Sequence, residues 1–343
     1  MKPRTFVALV TALLSLLAMA AAAAEKPLRI YFVDVEGGQA TLFVTPAGQS
    51  LLVDTGWPGY DGRDAKRIAA AAKQAGVKKI DYVVVTHYHE DHVGGVPQLV
   101  AQIPVGTFID HGENRENDPK PVEFSQAYFA ELKRGNYKRL TVKPGDKLPV
   151  KGMEATIVSG DGNVIDRPLA GAGQPNPACK QAQQYEADQT ENARSLGMLI
   201  NFGKLKILDL GDLTSDKEMA LMCPDNKLGN ADIYIVSHHG WKQSGSPPLV
   251  EAIHPRVAIM DNGARKGGSP SAWDIIHKTP GVEGLWQLHY SEEGGEQHNS
   301  PAEYIANVQG GDDGHDLELS AWPDGHFEVL NSRTGVRKEY PAR

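Results

Sequence analysis

Residues 85–95 read VTHYHEDHVGG. Three histidines and two acids fall between His87 and His92, directly after KIDYVVV, an apolar run that reads as a buried strand. Such groups are costly to bury without partners, so their grouping at a strand end points to chemistry rather than packing. Where the chain is extended, side chains two apart face the same way, and His87 and His89 converge on one point. Asp91 and His92 follow a turn later, where VGGVPQLV begins a helix. Imidazole nitrogen and carboxylate oxygen are ligands suited to zinc, and the H-x-H-x-D-H spacing supplies two neighbouring metal positions.

The partners such a cluster needs come from other strand ends. Asp212 closes ILDLGD, and His238 and His239 follow the apolar run IYIV in IVSHHG. Strand ends on one edge of a layered α/β protein meet at a common rim, the usual place for a site. Read alone, Asp212 is a turn or helix N-cap residue and the histidine pair a surface loop; three such clusters in one chain favour a shared site.

Around these clusters, LRIYFVDV, ATLFVTP and SLLVDTG predict an antiparallel meander joined by Gly-rich turns. GRDAKRIAAAAKQAG predicts a helix closed by Gly76. SLGMLINFGKLKILDLGD predicts two strands about a Phe-Gly turn. A helix from Ser215, the strand ADIYIVS, a helix over PPLVEAI, the strand RVAIMDNG, a helix over SAWDIIH and the strand GLWQLHY follow. DLELSAWPDGHFEVLN predicts a hairpin turning at Asp324-Gly325. Residues 159–191, rich in Gly, Pro and Gln, read as a surface insertion. The fold class is α/β, with residues 25–343 forming one domain.

The chain has 343 residues, 41% hydrophobic and 23% charged, an ordinary globular composition. Lys2 and Arg4 precede an apolar, alanine-ending run, so residues 1–24 read as a signal peptide and the address as periplasmic or secreted; an uncleaved membrane anchor is the alternative. No later segment is long and apolar enough to span a bilayer. Removing Lys2 and Arg4 from the 35 basic residues leaves 33 against 43 acidic, a formal charge of about −10. That balance disfavours long nucleic acid as a partner and favours a small-molecule substrate. The basic stretch 131–143 reads as a solvated helix face and loop. Cys179 and Cys223 in an oxidising compartment predict a disulfide tying the insertion to a later helix, with two buried thiols as the alternative. No feature specifies an oligomeric state.

LLVDTG (51–56), THYHEDHVGG (86–95), LGD (210–212) and HHG (238–240), in that order, resemble the metallo-β-lactamase superfamily. FVDVEGGQAT, NARSLGMLI and HHGWKQSGSP are similar to the ComEC-like hydrolase domains of that family. The resemblance implies a four-layer αβ/βα sandwich with two divalent metal ions on its rim, zinc or alternatively manganese. His87 and His89 would hold the first ion, Asp91 and His92 the second, with Asp212 bridging and His238 or His239 completing the second site. Asp91 would also hold the attacking hydroxide, and Asp54 would orient a ligand histidine from behind.

Two departures from the family pattern stand out. The histidine that many members supply between the H-x-H-x-D-H and G-D motifs is absent, which brings Asn192 and Ser195 forward as residues facing the site. At GARKGGSPSAW, a G-H-P is replaced by Gly268, Ser269 and Pro270. Metal-assisted hydrolysis is the implied chemistry. A phosphoester or phosphodiester is the leading substrate, a β-lactam or lactone the second, and a non-catalytic metal- or ligand-binding protein the third reading. His289 and His298 read as loop residues after a strand, with a reach to the rim to contact substrate as the alternative, and Trp57 and Tyr60 as either a pocket wall or packing. His111 reads as surface or structural.

Overall fold

Alternation along the strands builds the layers. In the computed structural model, which describes residues 26–310 and 313–343, Ile30 and Phe32 of strand Leu28–Phe32 face a second sheet, while Tyr31 and Val33 face helices. The first sheet has nine strands. From one edge they run Arg337–Tyr340, Phe327–Asn331, Leu317–Ala321, Leu28–Phe32, Thr41–Val44, Ser50–Val53, Ile80–Val84, Val105–Asp110 and Lys138–Thr141. The second has eight, running Ile305–Asn307, Gly284–His289, Val257–Met260, Ile233–Ile235, Leu205–Asp209, Gly197–Phe202, Glu154–Gly160 and Asn163–Val164.

Between the sheets lies one apolar core, with Phe32, Phe43, Val84, Ile157, Ile200, Ile207, Val257 and Trp286 among its members. The outer face of the first sheet is covered by helices Arg63–Gln74, Val96–Leu99 and Pro119–Arg134, which contribute Ile68, Ala72, Leu99, Tyr128 and Leu132. Helices Ser215–Met222, Pro247–Ile253 and Pro270–Lys278 cover the second, through Leu221, Leu249, Ile253 and Ile276. The result is the four-layer αβ/βα sandwich of the metallo-β-lactamase fold.

The expected meander is present, with Leu28–Phe32 antiparallel to Thr41–Val44 and that strand antiparallel to Ser50–Val53. From Ser50–Val53 outward the first sheet turns parallel, as does the second from Leu205–Asp209 to Ile305–Asn307. Parallel strands deliver their C-terminal ends to one side, and this is why Asp54, His87, Asp212, His238 and Asp261 arrive together. Three features differ from the expectations. Helix Pro119–Arg134, opened by Asp118-Pro119 and closed by Gly135, extends well before the helix face expected from residue 131; the basic stretch 138–141 is an exposed edge strand and not a loop; and the C-terminal hairpin returns to pair with Leu28–Phe32.

Residues 159 and 160 belong to strand Glu154–Gly160, so the irregular segment begins after it. It is pinned to the second helical layer: Gln174–Pro175 pairs with Asp225–Asn226, and Asn176 Nδ2 donates to the Met222 and Pro248 carbonyls at 3.2 and 2.9 Å. Cys179 and Cys223 form a disulfide, 44 residues apart in sequence. Closing a loop of that length restricts the unfolded chain, and replacing both cysteines by serine should cost ~3 kcal/mol. Urea unfolding of the oxidised protein and the double variant measures this; coincident midpoints would show that the bridge contributes nothing. No helix among the described residues is long and apolar enough to cross a membrane. The signal-peptide segment lies outside the described residues.

Candidate metal centre

His89 ends the extended segment after Ile80–Val84 and precedes the short helix Glu90–Val93, which carries Asp91 and His92. Asp212 follows Leu205–Asp209 after a left-handed Gly211, whose Cβ position would crowd Thr86. His238 and His239 both sit at φ 55°, in the left-handed region that side chains other than glycine rarely occupy. The strain is held by neighbours: His238 N donates to the Gly211 carbonyl at 2.9 Å, and Gly268 N donates to the His239 carbonyl at 2.9 Å.

These elements bring Asp91, His92, Asp212 and His239 to one point. All four are buried, and one ligand atom from each lies within 4.8 Å of the others. The edges are regular. His92 Nε2 is 3.2 Å from Asp91 Oδ2, from Asp212 Oδ2 and from His239 Nε2, and His239 Nε2 is 3.4 Å from Asp91 Oδ2 and 3.3 Å from Asp212 Oδ1. Two ligands each about 2.1 Å from a tetrahedral ion lie ~3.4 Å apart, so the set has the spacing of a metal cage. Asp212 Oδ1 and His87 Nε2 are buried and lack hydrogen-bond partners, as expected of atoms whose partner is a cation.

Around Asp212 Oδ2 a second, looser set gathers. His238 Nε2 is 3.3 Å from it and His87 Nε2 is 3.9 Å, while the His87 and His89 rings meet edge to face at 4.7 Å. His89 is more open, and its Nε2 lies 3.2 Å from Glu116 Oε2. Asn192 Oδ1 and Ser195 Oγ are buried without hydrogen-bond partners, and the Leu196 amide donates to the Thr86 carbonyl at 2.9 Å, which sets this segment against the H-x-H-x-D-H stretch.

A carboxylate stands behind most of the histidines. Asp54, itself at φ 59°, accepts from the Thr86 amide at 2.8 Å and the Thr86 hydroxyl at 2.6 Å, and its Oδ2 is 2.7 Å from His92 Nδ1. Asp261 Oδ1 faces His239 Nδ1 at 3.4 Å, and Glu116 faces His89. Carboxylates in these places fix which ring nitrogen points inward. Neither Glu116 nor Asp261 was anticipated from sequence. Asp261 had a signal, since it ends the apolar strand Val257–Met260; Glu116 had none, because the ENRENDP stretch reads as an ordinary polar loop.

Electrostatics divides the group. Burial opposes ionisation of Asp91 and Asp212, yet Lys266 and His92 hold Asp91, and His238, His92 and His239 hold Asp212, well below the usual carboxylate range. Burial, aided by the neighbouring imidazoles, depresses His87, and burial brings His238 to about 4. At His239, burial and Lys266 oppose the charged form, but Asp212 and Asp261 outweigh them and push it up to about 10.

Asp209 lies beneath the rim, fully buried, accepting from Gln39 Nε2 at 2.9 Å and the Gly211 amide at 3.1 Å. Burial pushes its carboxyl up to about 7 in spite of these bonds. A carboxyl raised above its unfolded value favours the fold at low pH and withdraws that support as pH climbs from about 4 through about 7. The full effect is ~4 kcal/mol at most for a shift of about three units. Asp209→Asn, with Gln39 turning its carbonyl inward, should therefore gain ~1 kcal/mol or more over the wild type at pH 8 and flatten the profile below it. Urea unfolding at pH 5.5 and 8 checks this, and parallel profiles would sink the assignment.

Other histidines have structural roles. His111 Nε2 lies 2.9 Å from Glu191 Oε2 in a buried pair beside Tyr88. His289 is not a loop residue: it ends strand Gly284–His289, buried, 2.7 Å from Asp34 Oδ1, and the other oxygen of Asp34 meets the Arg67 guanidinium. With Glu36 these residues form a second acid–histidine group that ties the turn after Leu28–Phe32 to the end of strand Gly284–His289. His298 packs edge-on against Trp273. Tyr60 is exposed beneath Arg63, whereas Trp57 lies at the rim with the Lys266 ammonium 5.2 Å from its ring centre.

The fold and this cage define an αβ/βα sandwich with a candidate metal centre on its rim. Residues 33–173 match the family described as the metallo-beta-lactamase superfamily. It is 26% identical over 190 residues to ComE operon protein 3 of Bacillus subtilis (strain 168), covering 55% of this chain and 20% of that protein. It is 24% identical over 233 residues to Recombination protein 2 of Haemophilus influenzae (strain ATCC 51907 / DSM 11121 / KW20 / Rd), covering 67% of this chain and 24% of that one. The chain thus spans about a quarter or less of these relatives' length, and the ComEC-like resemblance holds at that distance. Among solved structures it is similar to MEM-A1, a subclass B3 metallo-beta-lactamase isolated from a soil metagenome library, with a TM-score of 0.40 and 14% identity over 67% of this chain and 80% of that one.

Proposed function

We propose that this protein is an extracytoplasmic, two-metal hydrolase of small phosphoesters or phosphodiesters. The observation that carries the reading is the Asp91, His92, Asp212 and His239 cage, whose mutual distances are those of ligands on one ion. Asp91, His92, Asp212 and His239 would hold one ion, and His87, His89 and Asp212 would hold the other. His238, on Asp212 Oδ2, offers an imidazole where the intervening histidine of the family is absent. Nitrogen and oxygen donors in a buried set suit zinc, with manganese as the alternative.

Two divalent ions would supply an acidified water and withdraw negative charge from the transition state. The chain's own part is to orient. Asp54 accepts the Nδ1 proton of His92 so that Nε2 faces the cage, and Glu116 engages His89 Nε2, which leaves Nδ1 as its ligand atom. The acidic net charge favours a small substrate over a polynucleotide. The disulfide supports an oxidising compartment.

The test is a panel on zinc- and manganese-reconstituted protein with phosphomonoester, phosphodiester, lactone and cephalosporin substrates, alongside a His89→Ala control. Phosphoester turnover lost in the control supports the proposal. Cephalosporin or lactone turnover without any phosphoester turnover refutes it, as does activity that the control retains.

A further inference from the structure

Lys266 is the rim residue whose chemistry the ligand set leaves unused. It comes from GARKGGSPSAW, the stretch where the family's G-H-P is replaced, and its Nζ meets Asp91 Oδ2 at the mouth of the cage. Its ammonium also lies 5.2 Å from the centre of the Trp57 ring, within reach of a cation–π contact. The side chain is about one quarter exposed, so the charge is neither sunk in the core nor free in solvent.

The backbone that carries it is held on three sides. Gly263 N donates to the Lys266 carbonyl at 2.8 Å and closes the turn. Gly268 N and Ser269 N donate to the His239 and Gly240 carbonyls, each at 2.9 Å, and bind the loop to the histidine pair. On the far side, Gly37 and Gly263 pack backbone to backbone, since a Cβ on Gly37 would come within 2.8 Å of Gly263 N. The backbone that carries the opposing indole is held as well, because the Trp57 amide donates to Asp64 Oδ2 at 2.8 Å. A cation held this firmly beside Asp91 has a shape that a merely solvated lysine lacks.

A phosphodiester brings to such a site two non-bridging oxygens that share one negative charge and lie outside the bond that is cleaved; a neutral ester brings no such charge. Lysine binds such oxygens as a point charge through charge-assisted hydrogen bonds. We propose that Lys266 is a specificity-determining residue that seats a non-bridging anionic oxygen of the substrate against the cage, with Trp57 as its backing, and so selects phosphoesters over neutral esters. This rests on the hydrolase reading above and names the charge its substrate must carry.

The experiment compares the zinc-reconstituted full chain with Lys266→Met and Lys266→Arg on bis(p-nitrophenyl) phosphate and on p-nitrophenyl acetate, with thermal unfolding to verify folding. Lys266→Met should raise KM for the phosphodiester about tenfold or more and lower its kcat/KM at least about ten times further than that of the neutral ester; Lys266→Arg should recover most of the loss. Equal losses on both substrates, or no loss on either, would overturn the proposal. Calorimetric titration with inorganic phosphate gives a readout independent of turnover, with affinity expected to fall about tenfold in Lys266→Met and an unchanged affinity counting against it. If the wild type cleaves the neutral ester and no phosphoester, the phosphoester reading fails, and the phosphate titration alone decides the role of Lys266.

Discussion

Asp212→Ala should lower kcat/KM by about three orders of magnitude, comparable with the larger losses seen when a transition-state-stabilising group is removed. Its two oxygens are the only ones that touch both sets of imidazoles among the described residues: Oδ2 lies near His92, His238 and His87, and Oδ1 near His239. Removing it takes away a ligand from each set and the buried anion that offsets their charge. The variant should therefore also retain less metal after dialysis than the wild type. Asp212→Asn, which keeps the shape and loses the charge, should fall close to it. Elemental analysis with steady-state assays decides the matter, and wild-type metal content with wild-type turnover in Asp212→Ala would remove Asp212 from the site.

Asp54→Ala should be nearly as damaging by a different route. Asp54 is fully buried, holds both polar groups of Thr86 and engages His92 Nδ1. Taking one partner from a buried charged pair costs ~3–5 kcal/mol, and loss of a carboxylate behind a ligand histidine costs about 10- to 100-fold in metal affinity. Alanine is also a poor occupant of the left-handed backbone at φ 59°. Asparagine tolerates that conformation and can keep part of the bonding, so Asp54→Asn should lie between alanine and wild type. Urea unfolding and competition with a chelator measure the two effects separately. A variant that loses stability but binds metal as the wild type does would confine Asp54 to a structural role.

Much of this architecture was legible residue by residue. The meander, helix Arg63–Gln74, the Phe-Gly turn and the hairpin at Asp324-Gly325 all follow from apolar period and turn chemistry acting over a few residues. H-x-H-x-D-H could be read because its density of costly polar groups has no packing explanation. Glu116 and Lys266 were not legible. Each is an ordinary charge in a polar loop, and its meaning comes from a partner that is distant in the chain: Glu116 meets His89, and Lys266 meets Asp91 across 175 residues. His289 was misread as a loop residue for the same reason, since its partner Asp34 lies 255 residues earlier.

The sequence by itself determined which groups would gather, because strands, turns and ligand spacing are local properties of neighbouring residues. Only the tertiary structure decided how they gather. It placed His239 inside the cage and His238 against Asp212 Oδ2, which His92 also faces, it set a carboxylate behind His92, His89 and His239, and it carried the Lys266 ammonium to the rim. The physical reason is that ligand geometry and charge pairing act through space over about 3–4 Å, and two parallel sheet edges must close face to face before residues hundreds of positions apart come within that range.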